Sequence, residues 1–261
     1  MPHLSKERKN EQHGEQAEAE DGGAVTSQVL DRQTAALVAD VVDAFGVPTG
    51  LDSAQATARA LHPSLIDLRH EAARIERAGM WVEPAGVRPY PTTAVDAVTR
   101  RAAGLEPNPE LAHVDMFDPA TQSMQRVSVA PYAAPMSEEV VAEYSRRMIA
   151  AVQRHVAAAG RDLVRDTARQ HKLAYARTLG YSESGNCAFC SMLAGRGAVY
   201  ASEDSAGAGT KWHDNCTCDV KLVDGSDWDG RDRDLEALWA QSDGTLEDYR
   251  RVWREYTKEG Y

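Results

Sequence analysis

Cys187-Ala-Phe-Cys190 and His213-Asp-Asn-Cys216-Thr-Cys218 gather all four cysteines of the chain into one stretch near its C-terminal third. A C-x-x-C turn followed at a distance by H-x-x-C-x-C offers five soft or borderline donors, Cys187, Cys190, His213, Cys216 and Cys218, where tetrahedral zinc takes four. Cys187 and Cys190 can share an ion through a tight turn whose N–H groups point at the sulfurs. Cys216 and Cys218 are two apart, so an extended backbone projects both to one face. The expectation is one structural zinc ion, with the choice of four ligands among the five left open. Disulfides or buried thiols are the alternative reading of the same cysteines.

Catalysis is not expected from these residues. A zinc deaminase needs H-x-E ahead of P-C-x-x-C, and here the order is reversed. A thioredoxin-type site follows a βαβ pattern, whereas the residues before Cys187 read as helical. The rival enzyme reading is a metal-dependent nuclease, for which Trp212-His213-Asp214-Asn215 could supply a base and an acidic ligand.

A second chemistry lies just upstream. Arg146 to Arg177 holds eight Lys/Arg against Asp162 and Asp166 in a chain whose net charge is −11. Arg147, Arg154, Arg161, Arg165, Arg169 and Lys172 recur at sevens, fours and threes, which collects them on one helical face roughly opposite the apolar stripe. They could grip an anionic partner such as packaged DNA, making 146–177 a basic DNA-binding helix. The alternative is a solvated face of an ordinary amphipathic helix, since no interleaved aromatics suggest base stacking.

The elements that must position these groups are mainly helical. Residues 1–24 are polar and charged, too poor in apolar side chains to order themselves, and read as a disordered tail. A helical domain follows over 25–180. Val29, Leu30, Leu37, Val38, Val41, Val42 and Phe45 recur at helical spacing, with Gly46-Val47-Pro48 as the stop. Asp52 to Met80 is a second helical stretch, restarted or kinked at Pro63. Residues 81–135 hold eight of the eleven prolines and read as loops around a short helix near Thr93 to Ala103 and a hairpin within His113 to Val129. Ser137 caps a long helix whose stripe is Val141, Tyr144, Met148, Val152, Val156, Ala159 and Leu163, with a break or kink possible at Gly160. Residues 181–223 form the Cys/His module, with one or two helical turns over Cys190 to Gly195 and a short strand near Tyr200. An acidic linker and two short helices fill 224–261. The second helix carries Leu246, Tyr249, Val252, Trp253 and Tyr256, an aromatic stripe that docks either on its own domain or on a portal or scaffold.

The fold class is thus mainly α, with a small cysteine/histidine metal-stabilised α+β module toward the C-terminus. At 43% hydrophobic and 26% charged, the chain can bury a sizeable core. Its acidic balance argues against indiscriminate coating of nucleic acid. No apolar run reaches the roughly 20 residues of a membrane span, and the polar start lacks a signal-peptide core, so no membrane partner is expected.

Several stretches resemble the MuF-like minor head proteins of tailed bacteriophages, in the form encoded by actinobacteriophages. They are Ala159-Gly160-Arg161-Asp162, Ala176-Arg177, Cys187 through Tyr200, and His213 through Cys218, over about residues 137–223. The resemblance implies a structural, non-enzymatic role as a minor capsid protein in head morphogenesis. It implies the portal protein and/or major capsid protein as partners, and a place inside the capsid near the portal after assembly in the host cytoplasm. It also implies Cys187, Cys190, His213, Cys216 and Cys218 as metal ligands, and Arg196, Gly197 and Tyr200 as packing and turn residues. Asp214-Asn215 and Thr217 stand where such proteins often have Pro, His or Arg, which removes no ligand.

Overall fold

The computed structural model describes residues 28–105, 113–118, 123–128, 136–179, 186–197, 218–223 and 233–258. Helix α1 (28–45) is ended by Gly46, whose left-handed backbone (φ +69°) lets its N–H reach Val42 O at 2.7 Å. Helix α2 (Leu51–Ala78) follows, then α3 (Thr92–Ala102). An antiparallel hairpin comes next, β1 (His113–Asp118) with β2 (Ser123–Ser128), in the register His113 opposite Ser128. Helix α4 (Glu138–His171) is the longest element. Beyond it come β3 (Ala174–Thr178), α5 (Ala188–Ala194), β4 (Asp219–Val223), α6 (Arg233–Ala240) and α7 (Leu246–Lys258). The fold is mainly helical, as the periodicity predicts. The tail 1–24, the short strand expected near Tyr200 and the linker 224–232 lie outside the described residues.

Neither helix breaks where the sequence allowed an interruption. Helix α2 is continuous through Pro63, which is exposed, as is Arg59, whose carbonyl loses its intrahelical donor and can turn to water. Helix α4 runs through Gly160 without a break, starting from the Ser137 hydroxyl, which accepts from Val140 N at 3.4 Å. Gly160 is there for space. A Cβ at that position would sit 2.7 Å from Glu76 Cγ and 3.4 Å from Ala72 O, so the missing side chain lets α4 lie directly on α2.

Along its N-terminal half α4 buries Tyr144, Met148, Val152 and Val156 against Val38 and Val42 of α1, Leu61 and Leu65 of α2 and Val95 of α3. Its C-terminal half buries Val164 and Ala168 against Tyr175, Leu193 and Val220, from β3, α5 and β4. The proline-rich segment 81–91 is a strap rather than a free loop. Ala85 N–H donates to Thr167 Oγ1 at 2.9 Å, Arg88 makes a two-pronged bridge to Asp166 at 2.6 Å, and the Tyr90 carbonyl lies 2.9 Å from His62 Nε2. The small sheet joins residues on either side of position 180, because β3 pairs antiparallel with β4, Ala174 opposite Val223 and Arg177 opposite Val220.

Where α2 meets β4, Glu76 and Asp219 form a hydrogen-bonded carboxyl pair. Burial first, and then the charge and hydrogen bond of Asp219, push Glu76 up to about 9. At neutral pH Glu76 therefore holds the proton that it donates to Asp219.

Two outcomes follow from these contacts. Gly160→Ala gains up to about 1 kcal/mol of helix propensity but meets an overpacking cost of about 1–3 kcal/mol. A net loss of about 1 kcal/mol in urea denaturation is expected, and a larger loss for Gly160→Leu; an alanine variant more stable than the parent would show that α2 and α4 are not in close contact. For Glu76 the folded-state value lies above the unfolded one, so its contribution is full below the ordinary glutamate range and is lost as pH rises toward about 9. Glu76→Gln keeps a donor for Asp219 without the proton. Its melting temperature should match the parent at pH 5 and exceed it at pH 9, and parallel pH profiles for the two proteins would contradict the pair.

Candidate functional site

Strands β3 and β4 and helix α5 assemble a small α+β unit on the C-terminal end of α4. Helix α4 stops at His171 because Lys172 adopts a left-handed conformation (φ 57°), its N–H turning back to Ala168 O and Arg169 O. The chain can then leave as β3, whose central residues Tyr175, Ala176 and Arg177 are buried. Helix α5 begins at Cys187, and Cys187 is itself the cap: Cys190 N–H donates to Cys187 Sγ at 3.3 Å. This is the N–H to sulfur turn expected of the C-x-x-C spacing.

Cys218 comes in at the start of β4, and Cys187, Cys190 and Cys218 form one buried cluster bounded by Leu179 and Phe189, each cysteine at most 5% exposed. No disulfide joins these three. Three of the five sequence-derived donors are therefore brought together from two elements 28 positions apart, Cys190 to Cys218. His213 and Cys216 lie outside the described residues, as does the Trp212 to Asn215 stretch on which the nuclease reading rests. Among the described residues no group of three or more His, Cys, Asp or Glu side chains is placed to hold a metal ion, these three cysteines included. Thiols held away from bulk water are of the donor type that zinc takes.

Helices α6 and α7 close the unit from the other side. Leu235, Leu238, Tyr249, Val252 and Trp253 pack on Ala188 and Ala194 of α5, so the aromatic stripe of α7 docks on its own chain. Trp253 Nε1 donates to Asn186 O at 2.8 Å, one residue ahead of the first cysteine. The Ser191 and Tyr249 hydroxyls are hydrogen-bonded at 3.0 Å, both fully buried, while Ser191 also lies 3.1 Å from Ala188 O. Neither of these polar ties was visible in the sequence, where Ser191 is one small residue after a cysteine.

The six basic residues of the sequence reading do not share one open face. Arg161 and Arg165 are 4% and 8% exposed. Arg165 bridges Asp162 at 2.8 Å, and Arg147 bridges Glu143 at 2.7 Å. Of the six, only Arg169 and Lys172 are exposed, at the end of the helix. The basic helix also stops at His171 rather than reaching 177, and Arg177 is buried in β3. The correction has a physical cause: α4 is surrounded by α1, α2, α3, the 81–91 strap and the small sheet, so it has no continuous solvated side.

A model of the family described as VG15 protein matches residues 98–242, more than half of the chain, from the end of α3 through α6. No curated protein matches the chain, and no solved structure matches it.

Ser191→Ala and Tyr249→Phe should each cost about 1 kcal/mol, because each removes the buried hydroxyl–hydroxyl hydrogen bond. The double variant should cost clearly less than their sum in chemical denaturation. Strict additivity would mean that the two hydroxyls do not interact.

Proposed function

This chain belongs to the VG15 family and is a bacteriophage protein, and we propose that it is a minor head protein of the MuF-like kind, built into the capsid during assembly. The observation that supports the reading is the cysteine cluster. Within the segment of about 137–223 that resembles MuF-like proteins, Cys187, Cys190 and Cys218 come together in one buried cluster beside β3, α5 and β4, and the whole segment lies within the matched family region. In this reading the unit is a structural knot. A zinc ion held by four of Cys187, Cys190, His213, Cys216 and Cys218 ties β4 to the start of α5, and no turnover is involved. A few dozen residues between β3 and β4 have too little core of their own, which is where a structural metal contributes most.

The partner in this reading is the portal protein, the major capsid protein, or both, inside the head near the portal vertex. No helix among the described residues is long and apolar enough to cross a membrane.

Protein prepared under reducing conditions should carry about one zinc per chain by elemental analysis, the ratio of a single structural site. Cys187→Ser or Cys218→Ser should lose the metal and melt earlier, and a strong chelator should lower the parent's melting temperature to match. Material free of transition metal would end the zinc assignment. For the head role, co-expression with the neighbouring portal gene should co-purify the two proteins, and mass spectrometry of purified virions should detect this chain; particles that lack it would contradict the role. Incubation with DNA and divalent ions should leave the DNA uncut, and cleavage would favour the nuclease reading instead.

A further inference from the structure

Helices α1 and α2, joined by the short 46–50 connection, leave an open groove of about 500 Å³ between them. Each helix gives it two turns at the i, i+3, i+4, i+7 spacing that sets side chains on one face, Gln33 to Asp40 of α1 and Ser64 to Glu71 of α2. Leu37 and Leu68 are only partly buried by the helical core on which they pack, and with Ala36 they give the groove an apolar floor. Asp40 and Asp67 are exposed, so charge lies at its rim.

That rim has one sign. No Lys, Arg or His is among the described lining residues, whereas three carboxylates are. Arg74 holds Glu71 at 2.5 Å, which leaves two charges. Asp40 and Asp67 make no hydrogen bond or ion pair among the described residues. The sign decides what can cover the floor. Nucleic acid and an anionic lipid surface are repelled by it. A second copy using the same face would set Asp40 and Asp67 of one chain against those of the other, a like-charge juxtaposition that opposes pairing.

We propose that this groove docks a basic amphipathic helix of a partner protein, its apolar side chains seated on Ala36, Leu37 and Leu68 and its Lys or Arg side chains beside Asp40 and Asp67. A groove between two helices receives the ridge of a third, and apolar anchors at helical spacing are how such a guest is held. Seven residue steps along each wall span about 10 Å, two turns of the incoming helix. Charge complementarity sets which helix is accepted, and the apolar floor supplies the area that it buries. The inference is independent of the head role proposed above, since it concerns a different part of the fold and is read with a peptide rather than with a particle.

Fluorescence anisotropy of the full chain with labelled peptides tests it. The first peptide has about 18 residues, enough to form a helix, and is built of Leu, Ala and Lys with Leu at i, i+3, i+4 and i+7. A second carries Glu in place of Lys, and a third Ser in place of Leu. The first should saturate a single site and bind more weakly as salt rises. The Glu peptide should not bind, and the Ser peptide should be weaker by about tenfold or more. Asp40→Asn combined with Asp67→Asn should weaken the first peptide by about tenfold, the loss of two exposed ion pairs. Ala36→Arg, at an exposed position, should abolish binding while circular dichroism and melting temperature stay those of the parent. Glu247→Gln with Glu255→Gln, the same change of charge on the exposed side of α7, should leave the affinity as it was. Absence of saturable binding at millimolar peptide would overturn the proposal, as would equal binding of the Ser peptide or equal weakening by the α7 pair. A dimer in sedimentation that Asp40→Asn with Asp67→Asn strengthens and Ala36→Arg dissolves would assign the groove to a second copy instead, and would overturn it too.

Discussion

Helix α4 has to bury two different faces along one axis, and the rest of the structure is arranged around that requirement. Its 34 residues would extend about 50 Å, longer than any single core the chain could make. The apolar stripe meets α1, α2 and α3 over the first half, then turns to meet β3, β4 and α5 over the second. Where one core gives way to the other stands Gly160, against Glu76. The helix is continuous there because the small sheet needs α4 as its floor and α2 needs to lie close to it.

Enclosing a helix this rich in arginine forces the charges to find partners inside the protein. Arg165 takes Asp162, Arg88 of the strap takes Asp166, and Arg161 lies in the field of Asp31 from α1 and Glu76 from α2. An ion pair withdrawn from water, such as Arg165 with Asp162, adds little net stability, but removing one partner leaves a charge stranded. Such pairs therefore fix which helix faces which, and they explain how an acidic chain can hold a basic segment that is largely withdrawn from solvent.

The cysteine unit depends on the same spine. Its strands rest on Val164 and Ala168, and its helix α5 is held from the far side by Tyr249, Val252 and Trp253. The cysteines are thus enclosed by elements drawn from before and after them in the chain.

Local rules were enough for the helices. The Ser137 cap with Glu138 and Glu139 behind it, the Gly46 stop, the heptad-like stripe of α4 and the aromatic stripe of α7 all specify their elements within a few residues, and the hairpin at 113–128 closes over four positions. The C-x-x-C spacing likewise set the Cys187–Cys190 turn. What the tertiary structure alone decided involves partners distant in sequence. Ala174 to Thr178 became a strand because Asp219 to Val223 supplies its hydrogen bonds, a pairing no local pattern shows. Gly160 became a contact rather than a break because α2 lies against it, and the arginine periodicity, which looked like an open face, was enclosed once other elements packed around α4. Periodicity determines which side chains share a side of a helix; only long-range packing determines what that side meets.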